Sequence, residues 1–195
     1  MSDFDLKAFY AAELTEHLEV AAQSRARLLE PFGRLVELAV AAVSGGGKIL
    51  LFGNGGSAGD AQHLATELTV RYVKDRAPIA AIALTTDSSA LTAIGNDLGF
   101  ERLFARQVEA LGRRGDLALG ISTSGTSPTV LRGLEAAKRL GLRTAALGGR
   151  DGGRLAEAAE VVLVVPSDTT ARIQEMHIAF GQMLCGALER RLGLV

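Results

Sequence analysis

Near the middle of the chain a histidine and a glutamate, His63 and Glu67, stand four positions apart in the segment AQHLATEL, residues 61–68. On a helix that spacing puts both side chains on one face, and Asp60 lies close to it. An imidazole and a carboxylate so placed can ligate one metal ion or work as an acid–base pair. A solvated helix face would carry the same pair, so location has to decide. The helix starts at Gly53-Asn54-Gly55-Gly56-Ser57, directly after a strand-like run over residues 48–52. A strand that turns through glycines into a helix is a common phosphate grip, because the free N–H groups of the first turn point at the anion. Location therefore favours chemistry.

A second junction of the same kind lies in ISTSGTSPTVLRGLEAAK, residues 121–138. Ser122, Thr123, Ser124, Thr126 and Ser127 place five hydroxyls in six positions, and Pro128 then opens a helical pattern. A helix cap needs only one such residue. Five hydroxyls beside free N–H groups suit a phosphate dianion, and with no lysine the anion can come and go as part of a small metabolite.

The type of phosphate can be narrowed. A Walker loop ends in Lys-Ser or Lys-Thr, whereas here Gly56 is followed by Ser57-Ala58. Gly53-Asn54-Gly55-Gly56-Ser57-Ala58 matches a dinucleotide fingerprint in form. That fingerprint also needs an acid about 20 residues on, at the end of the second strand. The nearest candidate, Asp87, comes 34 residues after Gly53 and beyond the strand.

These junctions need a scaffold. Helical periodicity runs over residues 6–29, with Leu6, Phe9, Tyr10, Leu14 and Leu18 among its apolar positions, and a second helix is expected over 32–43 behind Pro31. Strands are expected over 48–52, 79–84, 117–121, 142–147 and 161–165. Helices are expected over 57–70, 87–94, 101–111, 128–140, 155–159 and 170–192, with a turn at Gly95-Asn96-Asp97. Strands alternating with helices predict an α/β fold, a doubly wound five-stranded parallel sheet preceded by an N-terminal helical pair. Ligands of such sheets bind at the carboxyl ends of the strands, where both junctions fall.

The totals agree. The 195 residues suffice for one domain with a full core, read as helices over 1–44 and an α/β unit over 45–195. Twenty-one basic residues balance 22 acidic ones, for a net charge of -1, which leaves no footprint for direct nucleic-acid binding. The one cysteine, Cys185, excludes an internal disulfide and reads as a core residue. The opening MSDFDLKAFY is acidic and lacks a signal-peptide core. No apolar run approaches the length of a membrane span. A cytoplasmic protein is expected.

The pair of junctions, strand-GNGGS-helix and strand-STSG-x-S-helix, resembles the sugar isomerase (SIS) domain, a phosphosugar-binding fold. AQHLATEL, LTAIGNDLGFERLFARQVEALG (91–112), DGG (151–153) and ARIQEMH (171–177) narrow the resemblance to the phosphoheptose isomerase family over nearly the whole chain. The resemblance implies a ketose–aldose isomerase that converts sedoheptulose 7-phosphate to D-glycero-D-manno-heptose 7-phosphate through an enediol, in heptose and lipopolysaccharide biosynthesis. It implies sugar contacts from Asn54, Gly55, Gly56, Glu67, Asn96, Asp97 and Gln174, and a phosphate cradle of Ser122, Thr123, Ser124 and Ser127. It implies catalysis by Glu67 with the residue at 182, and zinc held by His63, Glu67, Gln174 and Gln182. The family pattern has a second histidine five positions after that of RIQE-x-H, and this chain has Gln182 there. Glutamine offers a carbonyl oxygen to a metal but shuttles no proton near neutral pH.

His177 does not replace that histidine, since it lies about 140° around the helix from position 182; it reads as a packing residue. His17 reads as surface or interface, and Arg172 as a phosphate partner or an interface ion pair. The last helix is apolar nearly all round and the first has an unpartnered stripe, so oligomerisation through helices is expected. The resemblance implies a homotetramer with sites between subunits. A second reading is a non-catalytic SIS-domain adaptor that binds a replication initiator protein or a phosphosugar; retention of Glu67 and of the full Ser-Thr-Ser loop favours ligand chemistry.

Overall fold

The computed structural model describes residues 4–195; Met1, Ser2 and Asp3 of the acidic opening lie outside the described residues. Two helices come first, α1 (Leu6–Arg27) and α2 (Leu29–Ser44). Asp5 starts α1 by accepting from the N–H groups of Lys7 and Ala8. Strands and helices then alternate: β1 (Ile49–Gly53), α3 (Gly56–Thr69), β2 (Ala81–Ala83), α4 (Ser88–Asp97), a 3₁₀ turn at Phe100–Arg102, α5 (Leu103–Leu111), β3 (Leu117–Ser122), α6 (Pro128–Arg139), β4 (Arg143–Gly149), α7 (Leu155–Ala158), β5 (Val161–Val165) and α8 (Thr170–Arg191).

All five strands are parallel, in the order β2-β1-β3-β4-β5. Alternate residues of each strand point to opposite faces, and two apolar clusters result. Ile49, Leu51, Leu117, Leu119, Ala145 and Leu147 pack with α2, α3 and α8. Leu50, Phe52, Ala118 and Ala146 pack with α5 and α6 on the other face. The expected doubly wound α/β sheet with a leading helical pair is the observed one.

Three local expectations need correction. β2 spans only Ala81–Ala83, because Pro78 brings no N–H to a ladder and the Ile79 N–H is taken by the Leu68 carbonyl at the end of α3 (3.0 Å). Lys48 stands outside β1; its N–H and its ammonium both bond Asp116. The turn expected at Gly95-Asn96-Asp97 is helical: α4 runs through Asp97, Leu98 closes it on the Ile94 carbonyl, and Gly99 (φ 89°) turns the chain.

Candidate active site

The strand order reverses between β1 and β3, and their registered ends, Gly53 opposite Ile121, deliver two loops side by side. Open α/β sheets bind ligands in the crevice at such a switch point. The loops are joined directly. The Asn54 amide donates to Ser127 Oγ (2.9 Å) and to Thr129 Oγ1 (2.7 Å), and those two hydroxyls also bond each other (3.0 Å). Ser127 occupies the N-cap of α6, yet its side chain caps nothing there. The N–H groups at the start of α6 are thus left without a side-chain acceptor, in a loop that also carries Ser122, Thr123 and Ser124. A helix N-terminus arranged this way receives an anion.

The glycine loop carries the chain into α3, whose N-cap is Gly55 (φ 56°) and which has no side-chain cap. Gly56 follows, and a methyl group there would run into the Gln174 amide. Gln174 therefore lies against the bare backbone at the start of α3. Two turns further along α3, α8 is again close. Gly181 leaves room for Leu64, and beside that contact His63 Nε2 stands 3.3 Å from Glu67 Oε1 and 3.2 Å from Gln182 Nε2. His63, Glu67, Gln174 and Gln182 are thus gathered along one α3–α8 seam.

With the Gln182 nitrogen facing it, His63 Nε2 cannot satisfy both neighbours. With hydrogen on Nε2, His63 donates to Glu67 but meets the hydrogens of the Gln182 amide. Without it, Nε2 accepts from Gln182 but turns a lone pair toward the Glu67 carboxylate. Turning the amide over puts its oxygen on Nε2–H and removes the conflict. Asp60 adds a second carboxyl group beside the pair. Its Oδ2 is buried without a partner among the described residues, and burial raises its carboxyl above the ordinary range while His63 draws it back.

Other expected residues lie elsewhere. Asn96 and Asp97 are exposed at the end of α4, and among the described residues their one side-chain hydrogen bond is to each other (2.7 Å). Arg172 is no phosphate partner in this arrangement. Its guanidinium turns to α1 and α8, bonding the Glu13 carbonyl (2.5 Å) and Glu175 (2.6 Å), with the Glu13 carboxylate 3.2 Å away. His17 pairs with the other oxygen of Glu175 (2.7 Å). Cys185 is buried, and burial pushes its thiol up to about 12.

His177 is the packing residue expected of it. It is fully buried and bonds the Gly148 carbonyl through Nε2 (2.9 Å), which assigns the hydrogen to that nitrogen. Nδ1 has no partner. Burial lowers this imidazole to about 4, only partly offset by the Gly148 bond. An unfolded histidine takes up its proton below about pH 6.5, whereas the folded one resists it until near pH 4, so stability is held above 6.5 and declines as pH falls through that window. We expect urea midpoints to fall between pH 7 and pH 4.5 and to fall less in His177→Gln, the difference approaching about 3 kcal/mol. Equal pH slopes in the two proteins would refute this.

The SIS domain family model matches residues 10–149. The phosphoheptose isomerase of Paramagnetospirillum magneticum is 54% identical over 181 residues, 93% of this chain and 94% of that protein. That of Aquifex aeolicus is 57% identical over 148 residues, 76% and 78% of the two chains. The chain belongs to the phosphoheptose isomerase family. Two solved phosphoheptose isomerases agree in fold. GmhA from Neisseria gonorrhoeae has a TM-score of 0.90 at 44% identity, covering 95% of this chain and all (100%) of that one. The Francisella tularensis protein has a TM-score of 0.92 at 34% identity, covering 96% and 100%. Beside the phosphoheptose isomerase motifs, two residues of the site escape a reading of the sequence. Thr129 completes the Asn54 bridge, and its hydroxyl two places after Ser127 is the available sign. Arg76 bonds the Glu67 carbonyl, and nothing local in the sequence announces it.

Proposed function

We infer that this chain is a phosphoheptose isomerase that interconverts sedoheptulose 7-phosphate and D-glycero-D-manno-heptose 7-phosphate in heptose biosynthesis. The observation that carries the reading is the Asn54 bridge to Ser127 and Thr129. It puts an uncapped hydroxyl-rich helix start in the same crevice as the helix bearing His63 and Glu67. The phosphate docks at residues 122–127, and the sugar runs along α3 toward Glu67. His63 lies seven residues beyond Gly56, about 10 Å along the helix, so phosphate and reacting carbons occupy opposite ends of the ligand.

Glu67 takes a proton from C1 of the ketose, and the electron pair left behind closes the C1–C2 double bond as the C2 carbonyl oxygen becomes the enediol oxygen. The proton on O1 passes to O2, and Glu67 returns its proton to C2, leaving the aldehyde at C1. Gln182 and Gln174 hold the oxygens through their amides without titrating. The donor types along the seam would suit zinc: one imidazole nitrogen, one carboxylate and two amide oxygens. Among the described residues no three His, Cys, Asp or Glu side chains gather, so the ion would take His63, Glu67 and the amide oxygens of Gln174 and Gln182. Bound zinc supplies electrophilic stabilisation to the developing oxyanion.

Leu6, Phe9, Tyr10, Leu14 and Leu18 of α1 are all exposed in the single chain, and we read this stripe as a surface buried in a homotetramer. Light scattering gives the subunit number. No helix among the described residues is long and apolar enough to cross a membrane, in keeping with a cytoplasmic enzyme. The deciding experiment incubates purified protein with sedoheptulose 7-phosphate and follows aldose, with added zinc and after chelation. Turnover that chelation lowers is expected, and Gln182→His should raise kcat about tenfold or more by restoring a titrating group. Sugar binding with no turnover in either protein would instead favour the adaptor that binds a phosphosugar or a replication initiator.

A further inference from the structure

The DGG turn after β4 has no part in the chemistry above, yet it touches the anion loop closely. Gly125, in the middle of that loop, has a left-handed backbone (φ 69°). A side chain on it would run into the Gly152 carbonyl. From the other side, a side chain on Gly153 would lie 2.6 Å from the Gly125 carbonyl carbon and 2.9 Å from Thr126 Cγ2. The two segments meet backbone to backbone, with the Thr126 methyl beside the contact, and the Arg154 N–H donates to the Gly125 carbonyl (3.0 Å). The turn is itself held. Gly153 N–H donates to Asp151 Oδ1 (3.0 Å), Gly152 N–H to the Gly149 carbonyl (2.9 Å), and a side chain on Gly152 would lie 3.0 Å from Val164 of β5. The Gly152 and Gly153 N–H groups are therefore engaged and do not serve a ligand. What the turn supplies is shape.

We propose that Asp151-Gly152-Gly153 is a positioning device for the anion cradle: it locks the Gly125 backbone, and so aims the hydroxyls of residues 122–127 and the uncapped N–H groups at the start of α6 at the phosphate. This rests on the phosphate reading of that loop. Distorting the turn costs affinity for the phosphate end of the ligand while leaving the Glu67 end as it was. The effect should appear in KM and in phosphate affinity, not in kcat.

The test compares Gly153→Ala with Gly115→Ala. Gly115 also has a positive φ (96°), has open space around it, and sits in the turn before β3, at the amino end of the sheet. It imposes similar backbone strain away from the cradle. Inorganic phosphate is titrated by calorimetry, and KM and kcat are measured with sedoheptulose 7-phosphate. Gly153→Ala should weaken phosphate binding and raise KM about tenfold, the loss of one or two charge-assisted bonds, with kcat within about twofold of wild type. Gly115→Ala should lower the melting temperature and leave phosphate affinity unchanged. If Gly153→Ala does not fold, Asp151→Ala, which removes only an exposed acceptor, should weaken phosphate about threefold. Wild-type phosphate affinity in the DGG variants, or an equal loss in Gly115→Ala, overturns the proposal. A wild-type protein that turns over the sugar without binding phosphate at this loop would overturn the anion-site reading, and the proposal with it.

Discussion

Glu67→Gln should lose about three orders of magnitude in kcat, the scale of removing a general base that moves a carbon-bound proton. The substitution keeps the size and one oxygen of the side chain but removes its ability to take a proton at neutral pH. Apart from weaker zinc binding, since Glu67 is one of the proposed ligands, little else should change. The Glu67 side chain is about one-fifth exposed, at 21%, and among the described residues its one ion-pair partner is His63, so the melting temperature should move by no more than a few degrees. Sugar affinity should also survive within a few-fold, because the phosphate grip lies at the other end of the crevice and acts equally on ground and transition states. Exchange of the C1 proton with deuterated solvent is the direct readout. It should vanish in Glu67→Gln along with aldose formation, and a variant that still exchanges at the wild-type rate would remove Glu67 from the mechanism.

This site is largely legible in the sequence because its parts are local. The i, i+4 pair of His63 and Glu67, the glycines before them and the hydroxyl run 122–127 each announce themselves within a few residues, and the buried strand runs place them at one end of a sheet. What stays hidden depends on partners far away in sequence. Arg172 reads equally well as a phosphate ligand or an ion pair until α1 places Glu13 beside it. Asn96 and Asp97 carry turn chemistry in their letters, but α4 continues through them because Gly99, not Gly95, takes the positive φ. β2 starts late because the Ile79 N–H behind Pro78 goes to the Leu68 carbonyl, which a period-two pattern does not register. The DGG motif is plain in the sequence, but only the fold shows its backbone in contact with that of Gly125.

The largest stability effect should come from a residue outside every motif. Arg76 and Glu189 form an ion pair with side chains only 1% and 2% exposed, Nε to Oε1 at 2.9 Å. The rest of the guanidinium closes the end of α3, donating to the carbonyls of Glu67 (2.8 Å), Leu68 (2.7 Å) and Ala77 (3.0 Å). Glu189 Oε1 also accepts from the Tyr72 N–H (3.1 Å). Arg76→Ala strands a buried carboxylate and uncaps the helix that carries His63 and Glu67. Breaking one side of such a pair costs about 3–5 kcal/mol, which for a chain of this length lowers the melting temperature by roughly 10 °C. Lysine should recover only part, since a single ammonium cannot reproduce a planar fork that meets four acceptors. Removing both charges, as in Arg76→Met with Glu189→Leu, should be less damaging than Arg76→Ala alone, because no unpaired charge remains buried. Calorimetric melting of these variants decides the matter. If Arg76→Ala melts within about 2 °C of wild type, the pair contributes well below the range for a broken buried ion pair, and some other contact must hold α3 against α8.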